Sequence, residues 1–85
     1  MSQNNSVIEV VTDKEKFAKK LGASIRAIRE GKKISLKEFE AIDPSIDRHQ
    51  MSRIESGKVV PSSFTVHRIA TTLGVRTSDI FENVK

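Results

Sequence analysis

The segment 47–58, with the sequence DRHQMSRIESGK, constrains the fold more than any other part of the chain. Asp47 is placed to cap a helix, because its side-chain oxygen can accept a backbone N–H of the first turn. Gly57 stands where a helix commonly ends in a left-handed residue. At about 100° per residue, Met51 and Ile54 fall on one narrow edge of that helix. The segment therefore predicts a short helix with a buried apolar edge and a polar face turned outward.

The outward face of this predicted helix carries side chains that form directional hydrogen bonds. His49, Ser52, Arg53 and Ser56 lie opposite the apolar edge, and Arg48 lies on the flank. A helix that is anchored by two apolar residues and presents Arg, His and Ser outward suits the major groove of DNA.

Four further helices are predicted from capping residues and apolar spacing. Their start signals are Thr12 with Glu15, Ser35 with Glu38, Ser62 or Ser63, and Thr77 or Ser78. Their apolar stripes are Phe17, Leu21, Ile25 and Ile28, then Leu36, Phe39 and Ile42, then Val66, Ile69, Ala70 and Leu73, then Ile80 and Phe81. The first is expected to run to about Glu30, and Gly74 to end the fourth. The predicted fold class is all-α with five helices.

The N-terminal residues 1–12 are expected to form an arm outside the folded domain, which would span 13–85. Residues 1–6 are mostly Ser, Gln and Asn and are predicted to be disordered. The run Val7–Val11 is β-prone and is expected to form a short strand, to add to a partner's sheet edge, or simply to pack or fray.

Composition excludes several classes of site. The 85 residues contain no Cys and only two His, so neither a disulfide nor a metal site is expected. No cofactor or small-molecule ligand is indicated. No apolar run approaches the roughly 20 residues of a membrane span, and no signal sequence is evident, so a cytoplasmic protein without a membrane partner is expected.

The formal net charge of +4 favours an anionic partner, most often nucleic acid. Residues 14–37 hold nine basic residues against two acidic ones, whereas 47–58 holds three against two. Attraction to phosphate is therefore expected to come mostly from the first half of the chain.

The order of the predicted helices, with a short turn between the second and third, resembles the helix-turn-helix domain of the Cro and phage-repressor type, also called the Xre family. The matching stretches are IRAIRE at 25–30, ISLKEF at 34–39, MSRIESGK at 51–58, PS at 61–62, IATTLGV at 69–75 and IF at 80–81. The resemblance covers about residues 17–82. It implies a five-helix, lambda-repressor-like domain that binds double-stranded DNA.

The resemblance also implies roles for individual residues. Those expected to contact base edges are Arg48, His49, Gln50, Ser52 and Arg53. Those expected to contact phosphates are Ser35, Lys37, Ser56 and Lys58. Arg53 could bond guanine O6 and N7, and Gln50 could pair with adenine. Arg29 and Glu55 occupy the positions of a structural ion pair that would orient the recognition helix.

Two features depart from the family pattern. Leu36 stands where Gln usually opens the second helix, and it cannot bind phosphate. The turn Asp43-Pro44-Ser45 is one residue longer than usual and replaces a Gly-containing turn, and Glu40 falls where a small Ala normally packs.

The resemblance implies a small bacterial or phage transcription regulator, most simply a repressor. One short helix reads few bases, so a homodimer on a pseudo-palindromic operator is expected. Its dimer surface would be the fifth helix with Phe81 and Val84, or the N-terminal arm. An antitoxin or adaptor that keeps this fold for protein interaction is the alternative. An enzyme is disfavoured, because no nucleophile elbow, metal signature or phosphate loop is present.

Overall fold

The computed structural model describes the backbone of residues 2–84 and the side chains of residues 13–84. Five α-helices follow one another in this part of the chain, and no strand lies among them. They are α1 (Ser2–Gly31), α2 (Leu36–Ile42), α3 (Arg48–Glu55), α4 (Ser63–Leu73) and α5 (Thr77–Phe81). The all-helical, five-helix fold predicted from the sequence is confirmed.

Helix α1 begins well before the capping box that the sequence suggests at Thr12. The backbone of residues 2–12 is helical, so it differs from the expected disordered or strand-forming arm. These residues include neither Gly nor Pro, and extending an existing helix adds a hydrogen bond for each residue that is fixed. The division into an arm and a domain at 12/13 stays a prediction. A partner-binding role of Val7–Val11 concerns side chains that lie outside the described residues.

The core forms where α1 packs on α3 and α5, α2 packs on α3, and α4 packs on α5. Its members are Leu21, Ile25, Phe39, Ile46, Met51, Ile54, Val66, Ile69, Ala70, Leu73 and Ile80. The predicted edge of α3 is buried, since Met51 is 0% exposed and Ile54 is 1% exposed. In addition, the Ser24 hydroxyl donates to the Ile80 carbonyl oxygen at 2.6 Å and ties α1 to α5.

Three residues of the predicted apolar stripes are exposed, namely Phe17, Ile42 and Phe81. Ile42 is 59% exposed, although Phe39 on the same helix is fully buried. Residues three apart diverge by about 60° around a helix, so only the middle one of Leu36, Phe39 and Ile42 points straight at the core. Phe17 lies at the edge of the packed body and is 39% exposed. Its ring stacks on that of Phe81 with centroids 6.5 Å apart.

The predicted helix ends are formed as the local residue types dictate. The Ser35 hydroxyl accepts the Glu38 N–H, and the Glu38 side chain accepts the Ser35 N–H. This reciprocal pair opens α2. Ser62, the first of the two candidates, caps α4 by accepting the Thr65 N–H at 3.1 Å. Gly74 ends α4 with φ +71°, a left-handed conformation that glycine adopts without a Cβ penalty.

Gly22 lets α1 lie directly against the end of α3. A Cβ at residue 22 would lie 2.6 Å from the Glu55 carbonyl oxygen and would also overlap the Ile54 carbonyl oxygen. Gly57, just after α3, is equally close to α1, because a Cβ there would lie 2.7 Å from Lys19 Cγ. These two contacts fix the depth at which α3 sits on α1.

Candidate nucleic-acid interface

Helix α3 is a short helix held at both ends. Asp47 Oδ1 accepts the Gln50 N–H at 2.7 Å, as the sequence predicts for a cap. At the other end Gly57 has φ +76° and donates to the Ile54 carbonyl oxygen at 3.1 Å, and the Lys58 N–H donates to the Arg53 carbonyl oxygen at 2.9 Å. This pair of bonds closes the last turn and fixes where the helix stops.

The outer surface of α3 presents the whole set of candidate base-contacting residues. Every one of their side chains is exposed: Arg48, His49, Gln50, Ser52 and Arg53. A groove borders this surface and is lined by His49, Gln50 and Arg53 from α3 and by Val59, Val60, Pro61, Ser62 and Thr65 from the following loop and α4. Val60 was not singled out from the sequence, and it is 40% exposed beside the polar groups of α3.

The inner side of α3 is fixed by a buried ion pair between Arg29 and Glu55. Arg29 Nε lies 2.7 Å from Glu55 Oε2, and Nη2 lies 2.9 Å from Oε1. Arg29 Nη1 also donates to the Ile34 carbonyl oxygen at 2.7 Å, so the guanidinium joins α1, α3 and the loop before α2. The hydrogen bond to Glu55 raises the pKa of Arg29 against the opposing effect of burial.

The Asp43-Pro44-Ser45 turn is locked to α4 through the Asp43 carboxylate, which is only 6% exposed. Arg68 donates to it from Nη2 at 2.9 Å and from Nε at 3.1 Å, and Thr72 Oγ1 donates at 3.3 Å. The Ser45 hydroxyl and backbone N–H donate at 2.6 Å and 3.1 Å. Arg68 first, and then Ser45, hold the pKa of Asp43 well below its usual range.

Sequence reasoning identified this turn as unusual but not what secures it. An Asp followed by Pro and Ser is typical of a turn in which the Asp side chain accepts a backbone N–H two residues on, and that bond is present. The partner Arg68 is 25 residues away on α4, and no local pattern links the two.

Glu40 connects α2 to the first residue of α3. The Arg48 N–H donates to Glu40 Oε2 at 3.2 Å, and Arg48 Nε lies 3.4 Å from Glu40 Oε1. Both side chains stay partly exposed, at 30% for Glu40 and 55% for Arg48. The sequence marked Glu40 only as a departure from the family pattern. The structure shows it to be a polar link between α2 and α3.

The four candidate phosphate contacts differ in how free their polar groups are. Lys37 and Lys58 have exposed side chains. The Ser35 hydroxyl accepts the Glu38 N–H at 3.0 Å, and the Ser35 N–H donates to Glu38 Oε1 at 2.8 Å, a contact that lowers the pKa of Glu38. The Ser56 hydroxyl donates to the Arg53 carbonyl oxygen at 3.2 Å. The lysines are therefore the better placed of the four.

Two other features, a membrane span and a metal centre, are absent from the described residues. None of the helices there is long and apolar enough to cross a membrane. Within the same residues, no group of three or more His, Cys, Asp or Glu side chains could hold a metal ion.

Comparison with known proteins places this arrangement in a family. A family model described as a helix-turn-helix domain matches residues 22–85. Searches of curated proteins and of solved structures find no match. The matched stretch covers most of the chain and includes α2, the Asp43–Ser45 turn, α3, α4 and α5. The chain belongs to the helix-turn-helix domain family.

Proposed function

We propose that this protein is a sequence-specific, DNA-binding transcription regulator of the Xre type and that α3 is its recognition helix. The main support for this proposal is that all five candidate base-contacting side chains are exposed on α3. The opposite side of the helix is anchored in the core by Met51, Ile54 and the Arg29–Glu55 pair. A firmly mounted helix with an outward polar face meets the requirement for reading a major groove.

The role proposed for each base-contacting residue follows from the chemistry of its side chain. Arg53 reads guanine through O6 and N7, and Gln50 reads adenine through N6 and N7. Arg48, His49 and Ser52 complete the base-reading set. The groove that His49, Gln50 and Arg53 share with Val60 supports this proposal, because an apolar side chain beside polar donors suits the methyl group of thymine.

Phosphate contacts are proposed for Lys37 and Lys58, with Ser35 and Ser56 as weaker contributors. The hydroxyls of both serines are already engaged in hydrogen bonds at helix ends. The net charge of +4 supplies the general attraction to DNA, and its concentration in residues 14–37 places much of that attraction on α1 and on the start of α2.

A homodimer acting as a repressor is the proposed working form. Helix α3 spans only eight residues and so reaches few base pairs, and a two-fold dimer on a pseudo-palindromic operator doubles the sequence that is read. We place the dimer surface at α5, where Phe81 is 38% exposed, together with the half-buried Val84. The N-terminal residues 7–11 are the other candidate surface. Repression would follow from exclusion of RNA polymerase from the bound site.

A protein-interaction module such as an antitoxin or adaptor is the second candidate function. It is favoured by two large exposed hydrophobic residues, Ile42 at 59% and Phe64 at 65%, which line one groove between α2 and α4. This groove does not include any of the candidate base-contacting residues.

Selection of bound sites from a pool of random DNA tests the proposal. We expect enrichment of a pseudo-palindrome whose half-site centres lie about 34–36 Å apart, with binding that weakens steeply as salt rises. A double variant, Arg48→Ala with Arg53→Ala, serves as the control and should lose the enrichment. Absence of any salt-sensitive binding would favour the interaction module, and enrichment of single half-sites bound by a monomer would contradict the dimer.

A further inference from the structure

We propose that Glu40 is a positioning residue that determines the base preference of Arg48, an inference that rests on the proposed function. Glu40 lies on α2 and reaches across the turn to the first residue of α3. One carboxylate therefore touches both the backbone and the side chain of Arg48. No other candidate base-contacting residue makes an ion pair with the side chains in 13–84.

The backbone contact fixes where α3 begins relative to α2. The first N–H groups of a helix have no partner within the helix. Glu40 accepts the Arg48 N–H at 3.2 Å, and Asp47 accepts the Gln50 N–H at 2.7 Å, so two of these donors are satisfied by carboxylates. Negative charge at a helix N-terminus is favourable, which strengthens this link across the turn.

The side-chain contact restrains the Arg48 guanidinium and leaves part of its N–H donors available for DNA. A guanidinium carries five N–H donors in a planar fork. Glu40 Oε1 faces the Nε edge at 3.4 Å, and neither Nη group of Arg48 donates a hydrogen bond to an acceptor within residues 13–84. These are the groups that can bond guanine O6 and N7. A restrained fork also loses less rotamer freedom on binding than a free one.

The negative charge on Glu40 favours sequence selectivity, as does its restraint of the Arg48 guanidinium. Pairing with a carboxylate offsets the general attraction of Arg48 to phosphates, while the directional donors of the guanidinium remain. Phosphate contacts position a protein on DNA, and base contacts specify the sequence. Glu40 therefore lowers non-specific binding and raises the discrimination that Arg48 provides at one base pair.

The test uses Glu40→Gln, which keeps an oxygen that can accept the Arg48 N–H and removes the charge. The base pair read by Arg48 is defined as the one whose preference Arg48→Ala relaxes. Affinities are measured by fluorescence anisotropy for the selected site, for the same site changed at that base pair, and for unrelated DNA. We expect Glu40→Gln to lose roughly 3- to 10-fold in discrimination at that position, a part of what a bidentate Arg–guanine pair supplies. Affinity for unrelated DNA should hold or rise.

The matched control is Glu30→Gln, which removes the same charge from the exposed pair with Arg26 at 3.1 Å. It should affect unrelated DNA similarly and leave discrimination unchanged. In an Arg48→Ala background, Glu40→Gln should cause no further loss of discrimination. Glu40→Asp, which keeps the charge but shortens the side chain, should lose discrimination as well, and circular dichroism checks that each variant is folded.

Three results would overturn the role of Glu40. They are full discrimination by Glu40→Gln, an equal loss of discrimination in the presence and absence of Arg48, and a uniform loss of affinity on all DNA. In each case the wild type still selects its site, so the proposed function stands. A wild type that binds DNA with no base preference, or not at all, removes the proposed function and the role of Glu40 together.

Discussion

At the scale of single residues, two buried carboxylates hold the helix-turn-helix unit together. Glu55 secures the end of α3 to α1, and Asp43 secures the turn before α3 to α4. Each carboxylate accepts two hydrogen bonds from one arginine. Since a buried charge is costly unless it is paired, the position of α3 depends on these two arginine–carboxylate pairs.

Replacement of Glu55 by Ala should lower the free energy of unfolding by about 3–5 kcal/mol, because Arg29 would stay buried without its partner. Glu30→Ala, which removes the exposed partner of Arg26, is the control and should cost no more than about 0.5 kcal/mol. Urea denaturation followed by circular dichroism measures both. Equal small effects would mean that the Arg29–Glu55 pair does not stabilise the fold.

Replacement of Asp43 by Asn should lower the free energy of unfolding by about 1–3 kcal/mol at neutral pH, since the charge-assisted bonds from Arg68 are lost. The pKa of Asp43 is depressed in the folded state, so its charge stabilises the fold above the unfolded pKa of about 3.9. That stabilisation is lost as pH falls through the lower, folded-state pKa.

The difference in stability between wild type and Asp43→Asn should therefore be constant from about pH 7 to pH 5 and should shrink below about pH 4. Urea denaturation at a series of pH values gives this profile. A difference that stays unchanged below about pH 4 would show that Asp43 has the same pKa in the folded and unfolded states and is not held by Arg68.

Two kinds of residue contact were predictable from the sequence: those that follow from local spacing and those that the family resemblance implies. Asp47 as the cap of α3 follows from its place before an apolar edge, and the Arg29–Glu55 pair follows from the resemblance. The link of Asp43 to Arg68 was not predictable in this way, because it depends on how α4 packs against the turn. Glu40 was recognised as atypical, but its contact with Arg48 depends on the angle between two helices.

At the scale of elements, some helix starts are set by a local capping residue, and the start of α1 is set by extension of a helix that is already formed. The starts of α2, α3 and α4 coincide with side-chain caps at Ser35, Asp47 and Ser62. The start of α1 does not, because a helix that is already formed can extend through a segment of modest helix propensity when nothing breaks it. Capping residues therefore predicted where α2, α3 and α4 begin. They did not predict the length of α1, and α5 follows Arg76, which makes no side-chain cap bond, instead of being capped by Thr77 or Ser78.

The packing of α1 on α3 depends on the missing side chain at Gly22. Gly22→Ala should lower the free energy of unfolding by about 1–3 kcal/mol, because the new Cβ would press on the carbonyl groups of Ile54 and Glu55. Gly31→Ala is the matched control on the same helix, since nothing lies within 4 Å of a Cβ there. It should be neutral or stabilising by about 0.5–1 kcal/mol.

Thermal denaturation of the two glycine variants separates the packing effect from helix propensity. Alanine favours the helix at both positions, so propensity alone would stabilise both proteins. A destabilised Gly22→Ala beside an unaffected Gly31→Ala is the expected result. If both variants gain stability, the stability of the fold does not depend on the close approach of α1 to the end of α3.

At the scale of the whole molecule, the proposed function assigns the reading of DNA sequence and the general attraction to DNA to different parts of the chain. The long α1 carries much of the positive charge, whereas α3 is nearly neutral and carries the side chains proposed to read bases. This division predicts that substitutions on α3 alter the choice of sequence, while substitutions of exposed lysines alter affinity for all DNA alike. Arg53 and Lys58 offer the sharpest contrast, because they lie only five positions apart, Arg53 on α3 and Lys58 in the turn just after it.

The most direct measurement compares Arg53→Ala and Lys58→Ala on the selected site and on unrelated DNA over a range of salt concentrations. Arg53→Ala should lose about 1–3 kcal/mol on the selected site, lose little on unrelated DNA, and relax the preference at one base pair. Lys58→Ala should lose affinity about equally on both and lower the salt slope by about one. An equal loss on both DNAs for Arg53→Ala would contradict the claim that α3 reads the sequence through Arg53.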